Sequence, residues 1–131
     1  MGDSYPKRED YNYIKERTEA VFYDPKIATK EIVDEVYETV NDRKKLIKIL
    51  AMAKSAIRHN MSNDLPNILV ETAIIWGEND SVTPPDVADE FKKLLPNSQI
   101  FWIENCGHAP MMEHPEKFNS VMNSWLKEKK L

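Results

Sequence analysis

The 131-residue chain has room for one domain with a real core, and its 41% hydrophobic and 31% charged residues are ordinary for a soluble protein. A formal net charge of -4 gives no electrostatic reason to expect nucleic acid or a membrane surface as a partner. The single cysteine, Cys106, excludes an intrachain disulfide framework and a multi-cysteine zinc site, so a reducing, cytoplasmic location is the expectation.

The opening Met1-Gly2-Asp3-Ser4-Tyr5-Pro6 lacks the apolar stretch of a signal peptide and has proline where the myristoylation pattern needs serine or threonine. No apolar run approaches the roughly 20 residues that span a bilayer. Up to about residue 66 the chain is rich in charge and carries no strand-like run. A weak helix is expected at about 8–21, ended by the turn Tyr23-Asp24-Pro25. Ile32, Val33, Val36 and Val40, then Leu46, Ile47, Ile49, Leu50 and Ala53, recur at helical spacing. They predict two amphipathic helices at about 28–40 and 43–60, with Thr29 as a cap and Asn41-Asp42 as the break.

From residue 67 onward strand and helix alternate. Leu69 to Trp76, interrupted only by Glu71, reads as a strand covered on both faces. Pro84 and Pro85 open a helix at about 85–95, with Val87, Phe91, Leu94 and Leu95 on one face. After Pro96-Asn97, Gln99 to Ile103 is a second strand, and Pro115 starts a last helix with Phe118, Val121, Met122, Trp125 and Leu126 inward. A β-α-β-α order implies parallel strands joined by a right-handed crossover. Two parallel strands leave both outer edges unpaired, so something else is expected to complete the sheet.

The chemistry gathers where the strands end. Asp80 follows Gly77 at the end of the first strand, and His108 follows the second, so both are expected beyond the carboxyl edge of the sheet. A carboxylate bonded to imidazole Nδ1 fixes the tautomer and leaves Nε2 as a base, which makes Asp80 the orienter and His108 the general base of a coherent pair. Gly77 and Gly107 permit either sharp strand exits or close backbone approach, and Pro84, Pro85, Pro110 and Pro115 stiffen the loops. The bland alternative is a turn aspartate and a surface histidine.

Other candidates are weaker. The three histidines have no metal-ligand spacing, and no glycine-rich phosphate loop exists, so neither metal nor nucleotide cofactor is expected. Arg58 and His59 suit a helix C-terminus, His114 a solvated position, and Glu113 the first turn of a helix. Met52, Met61, Met111 and Met112 read as apolar filler, and Cys106 as a buried, inert thiol.

The runs Trp76-Gly77-Glu78-Asn79-Asp80-Ser81-Val82-Thr83-Pro84-Pro85 and Asn105-Cys106-Gly107-His108-Ala109-Pro110-Met111-Met112-Glu113-His114-Pro115-Glu116, with the amphipathic final helix, resemble the carboxyl-terminal part of an α/β-hydrolase. The resemblance covers residues 66–131, and residues 8–60 look less specifically like the helical cap of some members. It implies a partial α/β-hydrolase fold, with a cap-like segment at 1–66 and a β-α-β-α core at 67–131. It also assigns Asp80 to the triad acid and His108 to the triad base.

The family's nucleophile lies in a Gly-x-Ser-x-Gly elbow. With only Gly2, Gly77 and Gly107 available, no elbow can be written in this chain. Ser55, Ser62, Ser81 and Ser98 lack its context. The expectation is a carboxyl-terminal part of a serine-type ester hydrolase, inactive alone. Its partners would be a small acyl substrate and either the missing amino-terminal half or a second copy, without nucleic acid, membrane or cofactor. The alternative is a non-catalytic chain that self-associates through its open sheet edge and apolar cap helices.

Overall fold

A computed structural model describes residues 7–130. The described chain divides into two compact units, one comprising the residues up to Ala20 with Ala28–Asn60, the other Val21–Ile27 with the residues from Met61 onward.

The first unit is helical. Helix α1 (Tyr11–Glu19) starts where Asp10 accepts from the backbone N–H groups of Asn12 and Tyr13 at 3.0 and 3.2 Å, which makes it shorter than the 8–21 expected. Helix α2 (Lys30–Asn41) is capped by Thr29, and helix α3 (Arg43–Arg58) by Asp42, which accepts from Lys44 N and Lys45 N at 2.8 and 3.0 Å. Asp42 also closes α2, since its N–H donates to Glu38 O. One residue thus stops one helix and starts the next. α1 packs on α2 and α2 on α3, and the unit's buried apolar residues include Ile14, Val33 and Val40. Tyr11 and Tyr37 meet with ring centroids 5.3 Å apart, and Tyr11 Oη donates to Asp34 Oδ1 at 2.7 Å. Helix α3 ends at Arg58 rather than residue 60, and Arg58 Nε donates to Lys54 O as expected of a cation at that end.

The second unit contains the sheet. Strands β1 (Thr72–Gly77) and β2 (Ser98–Ile103) pair in parallel, from Thr72 opposite Ser98 to Gly77 opposite Ile103. β1 begins later than the expected Leu69. The reason lies in its partner: Thr72 N donates to Asn97 O at 2.9 Å, and there is no β2 backbone earlier for Leu69 and Val70 to pair with. Both are 68% exposed, so apolar character alone overestimated the strand.

Alternate strand residues face opposite sides. Ile74, Trp76, Ile100 and Trp102 point to helix α4 (Pro85–Leu94), where they pack with Leu65, Ala88, Phe91 and Leu95. Gln99 Nε2 donates to Glu128 Oε1 of helix α6 (Pro115–Lys129) at 3.4 Å, which places α6 on the odd-numbered face. The sheet is therefore sandwiched between helices, as a parallel sheet requires. A one-turn helix, α5 (Pro110–Glu113), precedes α6 and was not legible as a separate element. Its short apolar sequence carries no helical period, and Pro110 and Pro115 alone set its bounds.

Ile103 is fully buried at the carboxyl end of β2. Truncating it with Ile103→Ala should cost roughly 3 kcal/mol, the usual loss for a buried aliphatic side chain, read as a lower urea midpoint at unchanged slope.

Candidate active site

Two loops leave the carboxyl ends of β1 and β2 and are bound to each other through their backbones. Glu78 N donates to Ile103 O at 3.0 Å, and Asn79 N to Cys106 O at 2.9 Å. The second loop turns at Asn105, whose φ of 53° is a left-handed conformation that asparagine tolerates better than most residues. It then passes directly over Gly77. A Cβ on Gly77 would lie 2.1 Å from Gly107 O and 2.5 Å from Cys106 O, and one on Gly107 would lie 2.6 Å from Val21 O. Neither glycine has positive φ. Of the two roles open to these glycines, close backbone approach is the one they serve.

That approach brings together the two ionisable residues singled out from the sequence. Asp80 Oδ2 lies 2.9 Å from His108 Nδ1. The Asp80 side chain is only 4% exposed, whereas His108 is 41% exposed. Burial is the largest influence on the Asp80 carboxyl and opposes its ionisation. It is outweighed by the sum of the hydrogen bonds from Thr83 N, the His108 ring, the Thr83 hydroxyl and Val82 N, which hold the group below the ordinary aspartate value. An ionised carboxylate only accepts, so Nδ1 carries the proton and donates to Asp80. The lone pair of neutral imidazole is then on Nε2, at the other end of the ring.

Thr83 completes the arrangement and was missed at the level of sequence. Its hydroxyl donates to Asp80 Oδ2 at 2.9 Å and lies 3.1 Å from His108 Nδ1, while Val82 N and Thr83 N both donate to Asp80 Oδ1 at 2.9 Å. Trp76 Nε1 in turn holds Thr83 O at 3.0 Å. The available signal was the spacing itself: an aspartate followed two and three residues later by free N–H donors and a hydroxyl is the pattern of a side-chain-capped turn.

The remaining candidates fall elsewhere. Cys106 is fully buried, and burial first, then the charge and hydrogen bonding of the Glu113 carboxylate, push its thiol up to about 12, far from a thiolate nucleophile. Ser98 Oγ donates to Leu95 O at the amino end of β2, away from the loops. His114, expected to stay solvated, is half-buried, and its Nε2 lies 2.9 Å from Asn105 O. Glu113 lies in the first turn of α5, as expected of a first-turn or cap-region charge, and its carboxylate also accepts from backbone N–H groups of other segments. No group of three or more His, Cys, Asp or Glu able to hold a metal occurs among the described residues, and no helix among them is long and apolar enough to cross a membrane.

Parallel strands, loops meeting at their carboxyl ends and an acid–histidine contact define a recognisable class. The model of the α/β-hydrolase fold family matches residues 7–115, and the chain belongs to that family. Among curated relatives, the monoacylglycerol lipase ABHD6 of Homo sapiens is 35% identical over 86 residues, which cover 66% of this chain and 25% of the lipase. The 2-hydroxy-6-oxononadienedioate/2-hydroxy-6-oxononatrienedioate hydrolase of a Pseudomonas species is 25% identical over 115 residues, covering 86% of this chain and 41% of the enzyme. Among solved structures, MGS-MChE2, an α/β-hydrolase enzyme from the metagenome of sediments of the Mar Chica lagoon, Morocco, is 64% identical with a TM-score of 0.72, covering 78% of this chain and 47% of that one. The chain thus spans less than half the length of each of these relatives.

Two outcomes follow from the geometry. Gly77→Ala should destabilise the chain by roughly 3 kcal/mol in chemical denaturation, because its Cβ meets rigid backbone rather than a mobile side chain. The depressed Asp80 carboxyl contributes stability that is complete above about pH 4 and is lost as the pH falls through its lower folded-state value. Asp80→Asn should therefore lower the thermal midpoint at neutral pH, by a margin that narrows on acidification. A margin independent of pH would contradict this account of Asp80.

Proposed function

We propose that this chain is the carboxyl-terminal part of a serine-type α/β-hydrolase acting on carboxylic esters, in which Asp80 is the triad acid and His108 the triad base. The observation that carries this reading is the 2.9 Å contact between Asp80 Oδ2 and His108 Nδ1, made by a buried acid and a histidine whose ring remains accessible. Nε2 would take the proton of a serine hydroxyl as it attacks the ester carbonyl and return it to the leaving alcohol, with Asp80 stabilising the imidazolium between the two steps.

The nucleophile belongs to polypeptide outside these 131 residues. Three glycines, none flanking a serine in an elbow, and a length below half that of the relatives support this. Helices α1–α3 are proposed to form the cap that shapes the acyl pocket. Ester chemistry is favoured over carbon–carbon bond hydrolysis because the relatives named as monoacylglycerol lipases are 31–39% identical, against 25% for the dienedioate hydrolase. No cofactor is required by this mechanism.

A second reading rests on α3, where Ile47, Met52 and Ile57 are exposed at 57%, 72% and 84%. Such a surface suits association with a second copy or with the amino-terminal half. Sedimentation of the isolated chain separates the two, since a monomer at micromolar concentration removes self-association.

The catalytic proposal predicts that the isolated chain hydrolyses a short-chain ester no faster than its His108→Ala variant. In a polypeptide that also carries the elbow serine, His108→Ala should lower kcat by about 10⁶ and Asp80→Asn by about 10⁴, with little change in KM. Equal turnover by that longer polypeptide with and without His108 would exclude triad catalysis.

A further inference from the structure

Glu113 accepts hydrogen bonds from three backbone N–H groups beside the site. Its Oε1 accepts from Gly107 N at 2.6 Å, and its Oε2 accepts from Tyr23 N at 2.8 Å and Asp24 N at 3.3 Å. The Cys106 thiol points to the same Oε1 at 3.8 Å. Tyr23 lies 90 positions earlier in the chain, so one side chain joins the histidine loop to a segment that sequence proximity could never bring there.

The adjoining peptide is held from the other side. His108 N donates to Val21 O at 2.9 Å. Gly107 and His108 therefore have successive N–H groups fixed in turn by Glu113 and by the segment that Glu113 itself holds. The space admits no slack, because a Cβ at Gly107 would sit 3.0 Å from Oε1 and 2.8 Å from Tyr23 N. The carboxylate is held in place by its own short helix, whose Glu113 N donates to Ala109 O at 3.0 Å.

From this geometry we propose that Glu113 is a positioning residue that sets the location of the His108 ring against Asp80, through the Gly107–His108 peptide and the Val21–Asp24 segment. Its importance for turnover rests on the reading of His108 as the base. A carboxylate suits the task and an amide does not. Donors converge on both oxygens, so a glutamine in this place must turn an NH₂ group toward an N–H.

The test uses ¹⁵N spectra of the His108 ring in the full 131-residue chain, which report the Nδ1–H tautomer and the rate at which that proton exchanges with solvent. Glu113→Gln should speed exchange at Nδ1 by about tenfold or more, the factor expected for losing one charged hydrogen bond. The amides of Ile74 and Ile100 in the strands should stay within about twofold of the wild type. Glu113→Asp, which retains the charge on a shorter arm, should fall between the two. Unchanged ring exchange in Glu113→Gln overturns the proposal, as does acceleration shared equally by the strand amides. If Glu113→Gln does not fold, Glu113→Asp decides by the same criteria, and failure of both to fold assigns Glu113 to general stability instead. Because ring exchange is read without turnover, this result is independent of whether His108 catalyses. In the serine-bearing polypeptide the same Glu113→Gln change should lower kcat and leave KM unchanged.

Discussion

The site depends on the contact of two backbones. The Cys106–Gly107 peptide lies on Gly77 so closely that no side chain fits between them, and two loops that would otherwise diverge from neighbouring strands are thereby pressed together. Backbone bonds from Glu78 and Asn79 lock this arrangement. Strand spacing alone brings two loops within several ångströms. The distance of a hydrogen bond between Asp80 and His108 requires the further approach that the glycines allow.

Within that frame, electrostatics assigns different roles to the two partners. Asp80 is withdrawn from solvent, which by itself would favour its neutral form, yet its oxygens receive donors from Val82, Thr83 and His108. A buried carboxylate so satisfied stays ionised and stays in place. His108 keeps one edge of its ring against this fixed charge, while its side chain is 41% exposed.

Among the described residues the sheet has two strands, and α3 is an amphipathic helix with none of its residues buried. Full burial of each of α3's apolar side chains would be worth about 1.5–3 kcal/mol.

Much of this was legible from residues alone. The aspartate and histidine at positions 80 and 108, their order, the glycines between strand and loop, and the alternation of strand and helix are all local patterns, written in spacing and residue type. Caps such as Asp42 could be read in the same way, because a short polar side chain acts on the next turn of its own helix. Other features were not. The start of β1 at Thr72 depended on where β2 begins, the part played by Thr83 on where the imidazole comes to rest, and the bonds of Glu113 on a segment far away in sequence. The sequence by itself determined which chemical groups would occupy the loops, since that follows from identity and local period. Only the tertiary structure decided which of them touch, because hydrogen bonds form at about 3 Å and no local pattern specifies distances between remote segments that closely.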